Sequence, residues 1–329
     1  MYWTKSPGTG GQVLSEDDFV VDEMPAKKFL AKYERKNGKV AAVGGPFFLY
    51  ILKKRGTTTK DAVNFVCRKF GIQEAGFAGL KDKHAVTSQY ITLRQRVDEF
   101  ETDKISLKFV SPCKNMMQVG ELEGNRFSIT LHGCRKPENA KNVIKEMEKG
   151  MPNYFGPQRF SDNNADVGRM LLKRNYTAAL DLINKNSNTP YTSIRNVGKK
   201  MLKFFIHAYQ SFIFNSVLDN YITKNLTASF ADTPVVGFDT KLKSDFFSRT
   251  IRELLAADGL AAKDFQIRDL QITCRGALRP AFIKVKRIGF EIKGEAKVAK
   301  QLRSALVLDF ELPPGSYATV LIREITKTK

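Results

Sequence analysis

The spacing of apolar and polar positions changes character near the middle of the chain. In the first half the apolar runs are short. Residues 19–22 and 47–52 have strand length, and the second run ends in Lys53, Lys54, Arg55 and Gly56. Thr57, Thr58 and Thr59 then offer an N-cap to a helix whose apolar positions Ala62, Phe65, Val66 and Phe70 recur at helical spacing. Gly71 closes it, because a left-handed terminal residue is least strained without a Cβ. Residues 77–79 read as a strand end and 81–85 as a loop. Residues 87–93 read as a strand alternating Ser88, Tyr90 and Thr92 against Gln89, Ile91 and Leu93. Residues 118–122 and 125–131, separated by Glu123 and Gly124, predict a hairpin. Pro137, then Val143, Ile144, Met147 and Gly150 mark the start, apolar face and end of another helix. This half is α+β with a largely antiparallel sheet.

Past Gln158, Arg159 and Phe160 the period becomes helical. Residues 165–173, 177–184 and 197–223 predict helices, and in the last Leu202, Phe205, Ile206, Tyr209, Phe212, Ile213 and Val217 form an apolar stripe assigned to core. Residues 241–270 read as mixed and mostly helical. Strand character returns at 281–290 and 306–310, with a short helix at 296–303 between them. That order predicts a chain that leaves its first sheet, builds a mainly helical unit and returns. The expected division is a discontinuous domain of residues 1–160 and 286–329 with an insertion of residues 161–285.

Composition narrows the partner. With 54 Lys+Arg against 34 Asp+Glu the net charge is +20, spread along the chain among apolar residues rather than gathered in a tail. A folded basic surface suits a polyanion, whose condensed counterions are released on binding. The 4 cysteines and 3 histidines are scattered without metal-ligand spacing, so neither a zinc site nor a disulfide framework is expected, and free thiols fit a reducing cytoplasm. The N-terminus lacks the apolar core of a secretory signal, and no apolar run approaches the roughly 18 residues of a membrane span. A soluble, cytoplasmic nucleic-acid-binding protein is the expectation, with no membrane association and no obligate protein partner.

Three stretches stand out chemically. In Gly79–Ala85 (GLKDKHA), Asp82 lies between Lys81 and Lys83 and is followed by His84. Flanking positive charge favours an ionised carboxylate, suited to act as nucleophile or base while an RNA backbone approaches. A polar loop capping a strand would look the same. Residues 151–160 (MPNYFGPQRF) crowd Tyr154, Phe155 and Phe160 among two prolines, Asn153, Gln158 and Arg159. Such bulk implies a loop of fixed shape, and aromatics beside arginine suit stacking on an unpaired base. An aromatic-rich domain junction is the plainer alternative. Gly124–Phe127 (GNRF) sets an amide and an aromatic at the start of a strand.

Residues 76–89 (GFAGLKDKHAVTSQ), 152–160 (PNYFGPQRF) and 312–319 (LPPGSYAT) resemble, in order, the signatures of the TruD family of tRNA pseudouridine synthases. Weaker likenesses lie between them at 18–23 (DFVVDE), 54–58 (KRGTT), 124–127 (GNRF), 209–215 (YQSFIFN) and 275–280 (RGALRP). The resemblance implies the pseudouridine-synthase catalytic fold, a mixed and mainly antiparallel sheet, carrying an inserted, mainly helical TRUD domain. It implies an isomerase converting uridine to pseudouridine in RNA, the family's best-known target being position 13 of tRNA, with other structured RNA as a further substrate class. The reaction is redox-neutral and calls for no cofactor and no metal. The target uridine must be flipped out of its stack.

By the same resemblance Asp82 is the essential carboxylate, acting either by covalent attack or by abstracting a C2′ proton. Asn125 would hold Asp82 by a hydrogen bond, and Phe127 would stack on the uracil. Lys81 is a candidate counter-charge, with Lys83 a second choice. Lys83, His84, Asn153, Phe155, Gln158 and Arg159 are further candidates for contacting substrate. One departure stands out: Val13 occupies roughly the place where the family has a lysine near its catalytic Asp, and Glu16 replaces a proline. A milder one is Gly44-Gly45-Pro46, where the family often has a Gly-x-His type turn. Two other classes are weaker. A non-catalytic tRNA-binding module would not need Asp82, Asn125 and Phe127 intact. An RNA-cleaving or deaminating enzyme would need an acidic pair or a His/Cys zinc signature.

Overall fold

A computed structural model describes residues 1–30, 33–36, 39–42, 44–161, 163–185, 187, 189–224, 226–294 and 304–328. The chain divides into two compact units, each assembled from separated stretches. One comprises Ser6–Met147, Val285–Ala318 and Ile325–Lys329; the other comprises Met1–Lys5, Glu148–Lys284 and Thr319–Glu324.

The unit containing Ser6–Met147 is built on a ten-stranded sheet. Its strands are β1 (Gly10–Gln12), β2 (Phe19–Pro25), β3 (Phe47–Arg55), β4 (Ala75–Phe77) and β5 (Val86–Leu93), then β6 (Phe100–Glu101), β7 (Ile105–Cys113), β8 (Leu122–Cys134), β9 (Lys286–Gly294) and β10 (Ser304–Leu312). The hydrogen-bonded order is β9-β10-β8-β2-β5-β3-β7-β6, with β1 on β8 and β4 on β5. Every pairing is antiparallel except β2 with β5. The fold is α+β with a mixed, mainly antiparallel sheet.

Helix α1 (Thr59–Phe70) covers part of that sheet. Thr58 caps it by accepting from the Asp61 N–H, and Gly71 ends it at φ 66°. Its buried residues Ala62, Val63 and Val66 pack with Tyr50, Leu52, Ile91 and Leu93 from the neighbouring strands β3 and β5. A second helix, α2 (Ala140–Met147), buries Val143, Ile144 and Met147.

Three features depart from the sequence reading. The hairpin expected from 118–122 and 125–131 is one continuous strand, β8. Gly124 makes a bulge there instead of a turn: the register against β2 shifts between Leu122 and Gly124, and its φ is +154°. A Cβ at Gly124 would lie 2.3 Å from the Leu312 carbonyl oxygen, so glycine serves a close backbone approach. β3 runs on to Arg55, three residues beyond the apolar run. β7 carries Lys108 and Pro112 and lacks clean alternation, which hid it. The helix expected at 296–303 lies outside the described residues.

The other unit is mainly helical, with α3 (Asn164–Leu172), α4 (Tyr176–Asn184), α5 (Lys199–Thr223) and α6 (Phe246–Ala257). Its core gathers Val167 and Leu171 from α3, Ile206, Tyr209, Ile213 and Val217 from α5, and Ile251 and Leu255 from α6. Gly168 lets α3 approach α5 closely, since a Cβ there would sit 2.2 Å from the Phe205 carbonyl oxygen. The apolar stripe of α5 is core except Phe212, which is 45% exposed. Between 241 and 270 only α6 and one turn at Ala262–Phe265 are helical, less than the composition suggested. Buried Glu324 ties in the first residues, accepting from the Trp3 and Thr4 amides (3.0 and 3.1 Å) and from Thr4 Oγ1 (2.8 Å). Among the described residues no helix is long and apolar enough to cross a membrane.

Candidate active site

The loop between β4 and β5 carries Asp82, and buried groups fix its backbone. Gln89, fully buried on β5, donates from Nε2 to the Gly79 carbonyl (3.1 Å). Thr59, at the start of α1, accepts from the Lys81 N–H (2.9 Å) and donates to Gln89 Oε1 (2.8 Å). Lys54 donates from Nζ to the Asp82 carbonyl (2.7 Å). The loop is thereby pinned from β5, α1 and β3, while Asp82, Lys83 and His84 remain exposed.

Beneath the loop lies a buried polar cluster. Lys81 Nζ is 2.5 Å from Glu23 Oε2, with the two side chains 6% and 0% exposed, and it donates to Asn125 Oδ1 (2.8 Å). Glu23 Oε1 accepts from the Tyr90 N–H (3.2 Å). Glu23 and Asn125 are cross-strand partners on β2 and β8, so the pairing of two strands sets this cluster. Two expectations are corrected here: Asn125 holds Lys81, not Asp82, and Lys81 answers Glu23. The reason is desolvation. A buried carboxylate without a partner costs far more than an exposed one, so the lysine pairs with Glu23.

The cation at the Asp82 backbone is Lys54, which is 1% exposed. Burial pushes its amine down to about 8, opposed by the negative charges of Asp82 and Glu16 and assisted by the positive charge of Lys81. The sequence held a signal for it. Tyr50, Leu52 and Lys54 share one parity on β3, and the first two are fully buried. Glu23 shares parity with buried Val21 on β2 in the same way.

Phe127 is 6% exposed. Its ring stacks on Phe310 (centroids 5.2 Å apart, 18° between planes) and meets Phe19 edge-on at 6.2 Å. Lys83 points to solvent with His84, whose Nδ1 lies 3.4 Å from Glu16 Oε1. Among the described residues no group of three or more His, Cys, Asp or Glu side chains could hold a metal ion.

The 151–160 stretch belongs to the helical unit, so the structure does not gather all the candidates in one unit. Asn153 is buried and occupied: its Nδ2 donates to the Pro280 carbonyl (3.1 Å) while its Oδ1 accepts from Arg279 (2.7 Å). Tyr154 donates to Asp219 Oδ1 (2.8 Å), and burial beside that carboxylate pushes its phenol well above its ordinary value. Asn215 of α5 brackets Phe155, accepting from its N–H (2.9 Å) and donating to its carbonyl (3.0 Å). The Arg279 guanidinium lies 4.2 Å from the Phe155 ring centroid. Arg159 donates to Ser211 Oγ (3.2 Å) and stands 5.9 Å from the Phe155 and Phe204 rings, and Gln158 is exposed.

The family model described as tRNA pseudouridine synthase D (TruD) matches residues 1–189 and 224–325. A Thermococcus sibiricus protein assigned as a tRNA pseudouridine synthase D is 26% identical over 431 aligned residues, covering 99% of this chain and 97% of its own. The tRNA pseudouridine synthase D of an Anaeromyxobacter species is 29% identical over 365, covering 98% and 94%. A Methanosarcina mazei crystal structure assigned to the same group superposes with a TM-score of 0.77 at 22% identity, over 100% of this chain and 96% of that one, which is a likeness of fold. A match running through the sheet, the Asp82 loop, the 151–160 stretch and the C-terminal strands covers well over half the sequence, and the chain belongs to the tRNA pseudouridine synthase D (TruD) family.

Proposed function

We propose that Asp82 is the carboxylate with which this tRNA pseudouridine synthase isomerises uridine to pseudouridine. The observation that carries the reading is the contrast within one loop. The backbone of 79–82 is held by buried Gln89, Thr59 and Lys54, whereas the Asp82 side chain is presented to solvent. A reactive group gains from being preorganised without being covered. In the reaction the N1–C1′ bond breaks, the uracil turns, and C5 bonds to C1′. The C5 proton is lost, N1 gains one, and atoms and electrons balance with no cofactor.

In this reading Asp82 either attacks the sugar carbon or removes the C2′ proton. Phe127, packed on Phe310, forms the aromatic floor near which the flipped uracil rests. Asn125 acts through Lys81, keeping the cluster under the loop in register. The unit with the ten-stranded sheet is the catalytic domain. The unit with Glu148–Lys284 corresponds to the inserted TRUD domain, and its Phe155, Gln158 and Arg159 serve tRNA recognition, with Asn153 shaping that loop. Position 13 is the proposed target, and the enzyme works in the cytoplasm. The test is pseudouridine formation in tRNA, mapped with a carbodiimide, by wild type, Asp82→Asn and Asp82→Ala. Both variants should lose product while binding tRNA about as well as wild type. Equal pseudouridine from Asp82→Asn would refute the assignment.

A further inference from the structure

Lys54 places an ammonium on the buried face of the sheet. It lies on the buried parity of β3, 1% exposed, and donates to the Asp82 carbonyl at 2.7 Å. Lys81, the other buried lysine here, has the carboxylate of Glu23 as its ion-pair partner. Lys54 has no such dedicated partner among the described residues. The negative charges that act on it are those of Asp82 and Glu16. An aliphatic side chain would fill that place on the sheet without the desolvation cost of an ammonium. A cation kept there is best explained by the loop above it.

We propose that Lys54 is a positioning residue of the isomerisation: its ammonium fixes the Asp82 backbone and thereby the direction in which the Asp82 side chain is presented as the RNA approaches. The inference rests on Asp82 being the reactive carboxylate. The charges that act on Lys54 come from two places. From the loop come Asp82 and Lys81, and from the turn before β2 comes Glu16. The flanking strands place uncharged Thr87 and Ile105 opposite it. It also lines an open cavity of about 190 Å³ with Asp17, Lys53, Arg55, Glu101, Asp103 and Lys104. Losing the proton from Lys54 would remove the cation nearest the Asp82 backbone. Arginine would keep the charge at every accessible pH.

The experiment is single-turnover pseudouridine formation at saturating enzyme, with tRNA affinity measured in parallel, for wild type, Lys54→Met, Lys54→Arg and Asp82→Asn across about pH 6 to 9.5. Wild type should slow above about pH 8. Lys54→Met should be roughly 10- to 100-fold slower near pH 7 with tRNA affinity within about threefold, and neither Lys54 variant should show the alkaline fall. A wild-type rate in Lys54→Met, or an alkaline fall persisting in Lys54→Arg, overturns the proposal. So does a loss of tRNA affinity matching the loss of rate, which would make Lys54 a phosphate contact. Circular dichroism checks each variant's fold, and if Lys54→Arg is unfolded the alkaline fall is read from Lys54→Met alone. An active Asp82→Asn would remove the underlying reading. An inactive Asp82→Asn beside a fully active Lys54→Met would remove only the role of Lys54.

Discussion

Replacing Lys54 with methionine takes a charge out of the buried face of β3 and leaves a side chain of similar length. The folded protein holds this amine at about 8 against an ordinary 10.5, chiefly through burial. At about 1.4 kcal/mol per pKa unit, that difference is a destabilisation of about 3 kcal/mol near pH 7. Methionine removes it but forfeits a charged hydrogen bond to the Asp82 carbonyl, worth about 1.5–3 kcal/mol. The two nearly offset, so Lys54→Met should be within about 2 kcal/mol of wild type at neutral pH, in either direction.

The pH dependence is the sharper test. Below the folded value both states carry the proton and the burial penalty is fully present. Between about 8 and 10.5 the unfolded chain keeps the proton while the folded one has lost it, so wild-type stability rises with pH. Relative to Lys54→Met, wild type should gain about 1.4 kcal/mol per pH unit across that window, and about 3 kcal/mol in all. Urea unfolding of both proteins near pH 7 and near pH 10, followed by circular dichroism, measures the gap. A gap that stays constant over this range would show that the amine is not held in a desolvated site.

Two further outcomes follow from the packing around the site. Gly124→Ala brings a Cβ to 2.3 Å from the Leu312 carbonyl at a positive φ, which should cost about 2–4 kcal/mol and lower the melting temperature; an unchanged melt would mean that the bulge relaxes freely. Glu23→Ala leaves Lys81 buried without its carboxylate and should cost about 3–5 kcal/mol in urea unfolding, with tRNA binding retained by the folded fraction. A loss under about 1 kcal/mol would show that Lys81 escapes to solvent instead.

Several elements were legible because local chemistry decides them. The Thr58 cap, the apolar face of Ala62, Val63 and Val66 and the terminal Gly71 define α1 wherever that segment is placed. The core stripe of α5 follows from its period, and the exposure of Phe212 shows how far: a helix predicts a face, but not how wide a neighbour will cover it. Gly124 shows the opposite limit. Its sequence context suits a turn, and only the register against β2, with the Leu312 carbonyl close on the other side, makes it a bulge within a strand.

For the site, the sequence showed a carboxylate in a lysine-flanked loop between two strands, and the motifs that accompany it. It could not assign charges to partners. Asn125, Lys81 and Glu23 are distant in sequence, and only the register of β2 against β8 and the fold of the loop bring them together. Nor could it say that Lys54, and not the adjacent lysines of the loop, reaches the Asp82 backbone. The physical reason is that helix period, caps and turns depend on neighbours along the chain. Ion pairing in a low-dielectric interior depends on which strands lie side by side and on which groups each loses to solvent, and tertiary structure alone fixes both.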